Sequence, residues 1–325
     1  MLTRTLLFVI AFGVAGSAGA RAQTAAPASS LCTTSVALPP PAARGGGPAG
    51  GRGGGRGAQP AAASELPRLV KVKDDVYVIQ NVNDTVAEIG PFGGNVTIYL
   101  TEEGVVLVDS KNERMHDDIV AKVKTLTDRP IKYVVLTHNH GDHAAGAAGM
   151  QAIGATVIIS SEDREQLAKS GAAGLPALAY HGSAQIFLGG KEVRLREFCG
   201  HTRGDTVVSL PAARTVIIGD LLTTPDTIPQ IVNYGDGGNW TDLGKTLDEI
   251  AQMDFDILIA GHGPVLTKAA FLKQRDRVAA IRERVRALNR QHASQADVLQ
   301  ALLKEFNYGT GPAAGQIEPM MTELK

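Results

Sequence analysis

The chain has 325 residues, 44% of them hydrophobic, and its formal net charge at pH 7 is −1. This composition can supply a large globular core, and it excludes a chain that is disordered throughout. Five arginines and one acidic residue precede residue 67, so the rest of the chain carries an excess of acid. With no basic stripe in that part, nucleic acid is not expected as a partner.

The N-terminus has the pattern of a signal peptide. Arg4 precedes the apolar run LLFVIAFGV, and small residues follow, with Ala20 and Ala22 in the A-x-A arrangement that signal peptidase recognises. The pattern predicts a signal peptide over residues 1–22, cleavage after Ala22 and export to the periplasm. The run is shorter than the roughly 20 apolar residues of a membrane helix, and no later segment reaches that length. The mature protein is therefore expected to be soluble, with no membrane span.

Residues 23–66 are dominated by Ala, Pro and Gly, as in PPPAARGGGPAGGRGGGRGAQPAAA, and they show no hydrophobic period. This composition predicts a disordered linker. One of the two cysteines, Cys32, lies in this segment, and the other, Cys199, lies in CGHTRGD. A disulfide between them is one alternative, but a buried free thiol at Cys199 is expected in preference to a disulfide or a metal ligand.

From about Leu69 the pattern changes to alternating strands and amphipathic helices, which predicts an α/β domain of layered sheets covered by helices. Strands are predicted at 76–82, 94–110, 131–136, 155–160, 191–198, 205–210, 215–219 and 256–260. Helices are predicted over 115–126, from Ser161, over 241–253, where Asn239 and Asp242 form a capping box, and from Lys268 to about Phe306. We divide this part into a domain at 67–267 and a C-terminal helical extension at 268–325.

Ligand-type side chains are concentrated at the ends of predicted strands. The stretch LTHNHGDHAAG at 136–146 places three histidines and one aspartate within six positions, directly after a buried strand. A core gains nothing by burying several titratable groups together, so a metal site explains them better. Three more such residues follow strands in glycine-flanked loops, and strand ends that share one sheet edge converge. The candidate ligands are His138, His140, Asp142, His143, His201, Asp220 and His262.

This order of residues resembles the H-x-H-x-D-H…H…D…H pattern of the metallo-β-lactamase superfamily of hydrolases, over roughly residues 69–266. The resemblance implies an αβ/βα sandwich of two mixed β-sheets flanked by helices. It also implies two Zn²⁺ ions at one edge of the sandwich. One zinc would be held by His138, His140 and His201, the other by Asp142, His143 and His262, with Asp220 bridging them. Asp109, at the end of VVLVDS, matches an earlier family aspartate that supports the metal loop without binding metal.

The resemblance further implies hydrolysis of a small-molecule substrate, with a hydroxide shared by the zincs, oriented by Asp142, attacking a carbonyl. An aspartate at position 220 resembles the thioesterases, lactonases and general hydrolases of the superfamily more than the dedicated β-lactamases, which lack it. We therefore expect a lactone, thioester or amide-type substrate. The alternatives are a β-lactamase that hydrolyses β-lactam antibiotics, a mononuclear iron persulfide dioxygenase and a non-catalytic zinc-binding protein.

Three further residues are candidates for the substrate pocket. Tyr234 and Trp240 belong to the long glycine-rich stretch after Asp220, and loops of this kind near a metal site shape substrate access. His181, in LAYHGSAQ, is a third candidate, although a surface or structural role is favoured for it. Trp240 is equally suited to packing at the start of a helix.

Overall fold

The computed structural model describes residue 32, residues 66–224 and residues 227–325. The expected signal peptide lies outside the described residues, as does the expected linker apart from Cys32 and Leu66. The described residues form two β-sheets stacked face to face, with helices on both outer faces. The αβ/βα sandwich implied by the resemblance is confirmed.

The first sheet has seven strands in sequential order. Neighbours are antiparallel from the first strand to the fourth and parallel from the fourth to the seventh. The strands are β1 (Arg68–Lys73), β2 (Val76–Gln80), β3 (Val96–Leu100), β4 (Val105–Val108), β5 (Ile131–Val135), β6 (Thr156–Ser160) and β7 (Leu178–Tyr180).

The second sheet has six strands in the order β13-β12-β11-β10-β9-β8. All of its pairs are antiparallel except β11 with β12. The strands are β8 (Ser183–Leu188), β9 (Lys191–Phe198), β10 (Asp205–Leu210), β11 (Thr215–Ile217), β12 (Ile257–Ile259) and β13 (Leu266–Thr267).

Helices cover the outer face of each sheet. The first sheet and its loops carry α1 (Val86–Phe92), α2 (His116–Lys124), α3 (Gly141–Ala144), α4 (Ala147–Ala152) and α5 (Ser161–Ser170). The second sheet is covered by α6 (Trp240–Gln252), α7 (Lys268–Arg290), α8 (Gln295–Phe306) and α9 (Ile317–Glu323). Among the described residues, no helix is both long enough and apolar enough to cross a membrane.

The hydrophobic core has three layers, and strand β4 shows how the sequence produces them. Val105 and Leu107 face the helices of the first sheet, whereas Val106 and Val108 face the layer between the two sheets. Successive side chains of a strand point to opposite faces. A strand with both faces buried therefore appears as a continuous apolar run, as VVLV does.

The predicted capping of α6 is confirmed. Asn239 is the residue before the helix, and its side-chain oxygen accepts a hydrogen bond from the backbone N–H of Asp242 at 2.7 Å. Helix α1 is absent from the sequence predictions because Gly90 and Pro91 lie within it, and both residue types usually indicate a turn. A capping box between Thr85 and Glu88 starts this short helix.

The expectation of a free thiol at Cys199 is wrong. Cys199 forms a disulfide with Cys32, with 5.4 Å between the two Cα atoms. The alternative of a disulfide is the correct one, and it fixes Cys32 next to the loop that contains His201. Cys199 is buried as expected, with 1% of its surface exposed.

Candidate metal centre

The seven candidate ligands lie where strands of both sheets end. His138 and His140 lie in the loop that follows β5, and Asp142 and His143 lie in the short helix α3 directly after it. The other three, in the second sheet, follow β9, β11 and β12, and they are His201, Asp220 and His262. The stacking of the two sheets brings these ends to one edge of the sandwich.

The ligand atoms fall into three overlapping groups, and within each group they lie within 4.8 Å of one another. The first group is His138, His140 and His201; the second is Asp142, His143 and His262; the third is His138, His143 and Asp220. The third group shares His138 with the first group and His143 with the second.

Asp220 lies between the first two groups. Its Oδ2 atom is 3.9 Å from His138 Nε2, 3.8 Å from His201 Nε2 and 3.5 Å from His262 Nε2. Its Oδ1 atom is 3.3 Å from His143 Nε2. One carboxylate thus reaches both sides of the centre.

Each of four histidines has a hydrogen-bond acceptor on the ring nitrogen that faces away from the centre. Nδ1 of His143 lies 2.9 Å from Asp109 Oδ2, and Nδ1 of His201 lies 3.0 Å from the carbonyl oxygen of Ile231. Nδ1 of His138 lies 3.1 Å from the hydroxyl of Thr137, and Nε2 of His140 lies 3.2 Å from Asp236 Oδ2 and 2.8 Å from the side-chain amide nitrogen of Asn233. An outward N–H that donates leaves the inward nitrogen with its lone pair, as a metal ligand requires.

Asp109 is the acceptor around which the His138 loop is built. One of its oxygens accepts from the backbone N–H of Thr137 at 2.7 Å, and the other accepts from the hydroxyl of Thr137 at 2.8 Å and faces His143. Because that hydroxyl donates to Asp109, it accepts from His138 Nδ1–H. Asp109 therefore fixes the orientation of two candidate ligands without facing the centre itself.

The charges of the buried groups show that the centre favours positive charge. Burial alone would lower the pKa of His143, but Asp220, Asp142 and Asp109 raise it well above its usual value. Burial likewise opposes protonation of His262, yet Asp220 and Asp142 raise its pKa to about 9. His138 has its pKa lowered by burial. The carboxylates thus favour positive charge on the side of the centre that contains His143 and His262.

Two buried ligand atoms have no hydrogen-bond partner among the described residues. They are Nε2 of His138 and Oδ1 of Asp220, and both belong to the group that joins the two sides of the centre. A buried polar atom without a partner costs free energy, and a bound cation removes that cost. The donor set of imidazole nitrogens and carboxylate oxygens suits Zn²⁺.

Sequence reasoning missed Asp236, which lies in the loop between β11 and α6. Its Oδ2 atom faces His140 Nε2, and it also accepts from the side-chain amides of Asn139 at 3.2 Å and Asn233 at 2.6 Å. The signal was present in NYGDGGN, where polar residues alternate with glycines after a candidate ligand, but it was interpreted only as a loop that shapes access.

Each of the three pocket candidates contacts residues outside the ligand set. The ring of Trp240 is fully buried against Tyr308, and the hydroxyl of Tyr234 donates to Glu323 at 2.8 Å, so both contact the C-terminal helices. The exposed ring of His181 lies 3.0 Å from the carboxylate of Glu197. For Trp240 the structure favours the packing role, and for His181 the surface role.

Two cavities can be compared with the position of the centre. One of about 730 Å³ is lined by residues that include Asn112, His116 and Gly149, and it contains none of the candidate ligands. The other, of about 620 Å³, includes His140 and Asp236 in its lining. The smaller cavity is therefore the one that adjoins the centre, and its volume is in the range of small-molecule sites.

Comparisons with known proteins agree with this geometry. A model of the metallo-β-lactamase superfamily matches residues 89–262, which include all seven candidate ligands. The hydroxyacylglutathione hydrolase of Acidiphilium cryptum (strain JF-5) is 29% identical over 183 residues, which is 54% of this chain and 68% of that protein.

Solved structures show the same fold. A metallo-β-lactamase from Pontibacter korlensis aligns with a TM-score of 0.57 and 20% identity, covering 66% of this chain and 99% of that one. The mono-zinc form of the metallo-β-lactamase FIM-1 from Pseudomonas aeruginosa aligns with a TM-score of 0.57 and 18% identity, covering 67% and 96%. The family model spans more than half of the chain and includes the whole ligand set, so the chain belongs to the metallo-β-lactamase superfamily and is a metal-dependent hydrolase.

Proposed function

We propose that the protein is an exported hydrolase with two zinc ions, and that it cleaves a small molecule at an activated carbonyl such as a thioester or a lactone. The observation that carries this proposal is the orientation of three imidazoles, those of His138, His143 and His201, by acceptors outside the centre. This arrangement leaves the inward nitrogens as a preformed set of ligands.

The two outer groups of ligand atoms would each hold one zinc. His138, His140 and His201 would hold the first, Asp142, His143 and His262 the second, and Asp220 would contribute to both. Three or four protein ligands per ion leave coordination positions for water and substrate, as catalytic zinc sites do. When bound, the ions would lower the pKa of a water molecule and polarise a carbonyl oxygen.

Asp142 is the residue that we assign to orienting the attacking water. Its side chain is 21% exposed, whereas the side chain of Asp220 is 9% exposed, so it is the more solvent-exposed of the two candidate carboxylate ligands. Burial would raise its pKa, but His143 and His262 hold the pKa well below the usual range. The group therefore remains a carboxylate at neutral pH, and it can accept a hydrogen bond from an attacking water and orient that water.

The ligand at position 220 and one relative support the choice of substrate class. An aspartate there resembles the thioesterases and lactonases of the superfamily. The Acidiphilium cryptum relative is a hydroxyacylglutathione hydrolase. We therefore place a thioester first among the substrates to test, followed by a lactone.

The decisive experiment compares the wild type with Asp142→Asn on a thioester, an acyl-homoserine lactone, a β-lactam and a phosphodiester, with the zinc content of both proteins measured. The variant should fold, because its backbone carbonyl still accepts from Gly94 N–H at 2.9 Å. Loss of the oriented nucleophile should lower kcat by about 10² to 10⁴ on the accepted substrate. Asp128→Asn, at an exposed turn before β5, is the matched control and should keep full activity.

Each other outcome points to a different protein. One iron and no zinc per chain would favour a persulfide dioxygenase, and hydrolysis of the β-lactam alone would favour a β-lactamase. Two bound zincs without activity on any of the four substrates would favour a zinc-binding protein.

Export is the second part of the proposal, and the disulfide supports it. Disulfides persist in oxidising compartments such as the bacterial periplasm. Cleavage after Ala22 keeps Cys32 in the mature chain, so the processed protein could still form the bond to Cys199.

A further inference from the structure

A buried aspartate on helix α5 contacts both chain segments that contribute to the first ligand group. Asp163 is fully buried. Its Oδ2 atom accepts from the backbone N–H of Asn139 at 3.2 Å and from the hydroxyl of Thr202 at 3.1 Å. Asn139 lies between His138 and His140, and Thr202 directly follows His201.

Helix capping does not explain the position of this carboxylate. Asp163 is the third residue of α5, and its backbone N–H donates to Ser160 Oγ at 3.2 Å. In a capping box, the acidic side chain at that position would return to the backbone of the residue before the helix. Here the side chain points instead to the two ligand segments.

The hydrogen bonds around Asp163 are incomplete, which is unusual for a purely structural contact. The hydroxyl of Thr202 lies 3.0 Å from Asp205 Oδ1 as well, and one hydroxyl donates only one proton. Asp163 Oδ1 is buried and has no hydrogen-bond partner among the described residues. A buried oxygen without a hydrogen-bond partner lowers the stability of the fold, so stability alone does not account for an aspartate at this position.

We propose that Asp163 is a positioning residue for the first metal site, and this inference rests on the proposed function. Asn139 and Thr202 are far apart in sequence, and the carboxylate holds their two segments at a fixed separation. The ligand atoms His140 Nδ1 and His201 Nε2, which belong to these segments, lie 2.9 Å apart. With Asp163 in place, the first group is arranged for a metal before the metal arrives.

The test measures zinc affinity, which a merely structural role would not change selectively. All variants are made in a His262→Ala background, because His262 belongs to the second group and not to the first. The apoprotein is titrated with zinc alone in competition with a chromophoric chelator. Asp163→Ala should weaken binding by about 10- to 100-fold, the range seen when residues that orient metal ligands are lost.

Asp163→Asn serves as the conservative variant. Its side-chain oxygen can occupy the position of Oδ2 and accept from both Asn139 N–H and the hydroxyl of Thr202. It should therefore bind zinc within about threefold of the parent, and a Co²⁺-loaded sample should keep the parent's visible absorption spectrum, whereas the spectrum of Asp163→Ala should change.

Val278→Ala is the matched control for general destabilisation. Val278 is buried in the core between the C-terminal helices and the second sheet, away from the ligand segments. If Asp163→Ala binds zinc as tightly as Val278→Ala, the inference is overturned.

Two further outcomes keep the test decisive. If Asp163→Ala does not fold, Thr202→Val removes the hydroxyl at nearly constant volume and should weaken zinc binding in the same way; unchanged affinity would overturn the inference. Failure of the otherwise unmodified protein to bind zinc would instead contradict the proposed function, and the inference with it.

Discussion

Removal of the disulfide between Cys32 and Cys199 should destabilise the protein substantially. The two cysteines are 167 residues apart in sequence, so the bond closes a long loop in the unfolded chain. In the chain-entropy model a loop of this length reduces the entropy of the unfolded state by an amount worth about 5 kcal/mol at 25 °C. We expect Cys32→Ser to lose between about 2 and 5 kcal/mol of unfolding free energy, because measured values often fall below the model.

Cys32→Ser is preferable to Cys199→Ser, because Cys199 is 1% exposed and its substitution would place a hydroxyl in a buried site. Unfolding is measured with urea on metal-free protein, without reductant and then with it. The unfolding free energies must be compared as well as the urea midpoints. A cross-linked unfolded chain is more compact, so its unfolding free energy depends less steeply on urea concentration. Reductant should destabilise the wild type and leave Cys32→Ser unchanged.

A chain that starts at Ser64 lacks Cys32 and should show the same loss as Cys32→Ser if the preceding segment acts through the disulfide alone. Intact-mass measurement of protein from the producing cell should find an N-terminus at Gln23 and two hydrogens fewer than the reduced chain. Equal unfolding free energies for the oxidised wild type and Cys32→Ser would refute the reasoning, and free thiols in the isolated protein would refute the bond itself.

Two further predictions concern the metal centre and its surroundings. His262→Ala should retain about one zinc per chain after dialysis instead of two, because His262 belongs to the group with Asp142 and His143 only; elemental analysis that finds two would contradict the assignment. Burial lowers the pKa of Lys111 to about 7, below the value of about 10.4 expected in an unfolded chain. The unfolded state then binds more protons between these pH values, so the unfolding free energy of the wild type should rise with pH from 7 to 10, by up to about 1.4 kcal/mol per pH unit relative to Lys111→Met. If urea unfolding gives the same difference in unfolding free energy between the two proteins at pH 7, 8 and 9, the lowered pKa of Lys111 is contradicted.

The fold could be predicted from the sequence where the apolar pattern repeats over several residues. The run VVLV in β4 and the capping by Asn239 in α6 are local signals, and the structure confirms the elements that they predict. Helix α1 could not be predicted because Gly90 and Pro91 indicate a turn, whereas the capping box at its start and tertiary contacts form a helix.

The candidate ligands could be identified because histidine and aspartate at strand ends, beside glycines, form an unusual combination. The residues that orient them give no comparable signal. Thr137 appears as an ordinary hydroxyl residue, Asp236 as a loop residue, and Asp163 as a helix-capping acid. Their roles depend on which nitrogen of a ring faces outward, and only the packed structure determines that.

The disulfide shows the same limit in another form. Cys32 lies in a segment with little to bury, so composition favoured a free thiol at Cys199 over a disulfide. A covalent bond between distant residues requires only that two Cα atoms come within about 7 Å, and local sequence contains no information about that distance.

The orienting contacts link metal binding to the integrity of the fold. The outward nitrogen of His143 faces Asp109, which follows β4. Those of His201 and His140 face Ile231 and Asp236, which both lie in the loop between β11 and α6. These acceptors come from elements of both sheets, so local opening of any one of these elements releases the orientation of a ligand. Conversely, a bound metal stabilises the folded state, because the unfolded chain has no preformed set of ligands. The metal should therefore bind strongly only when both sheets are assembled.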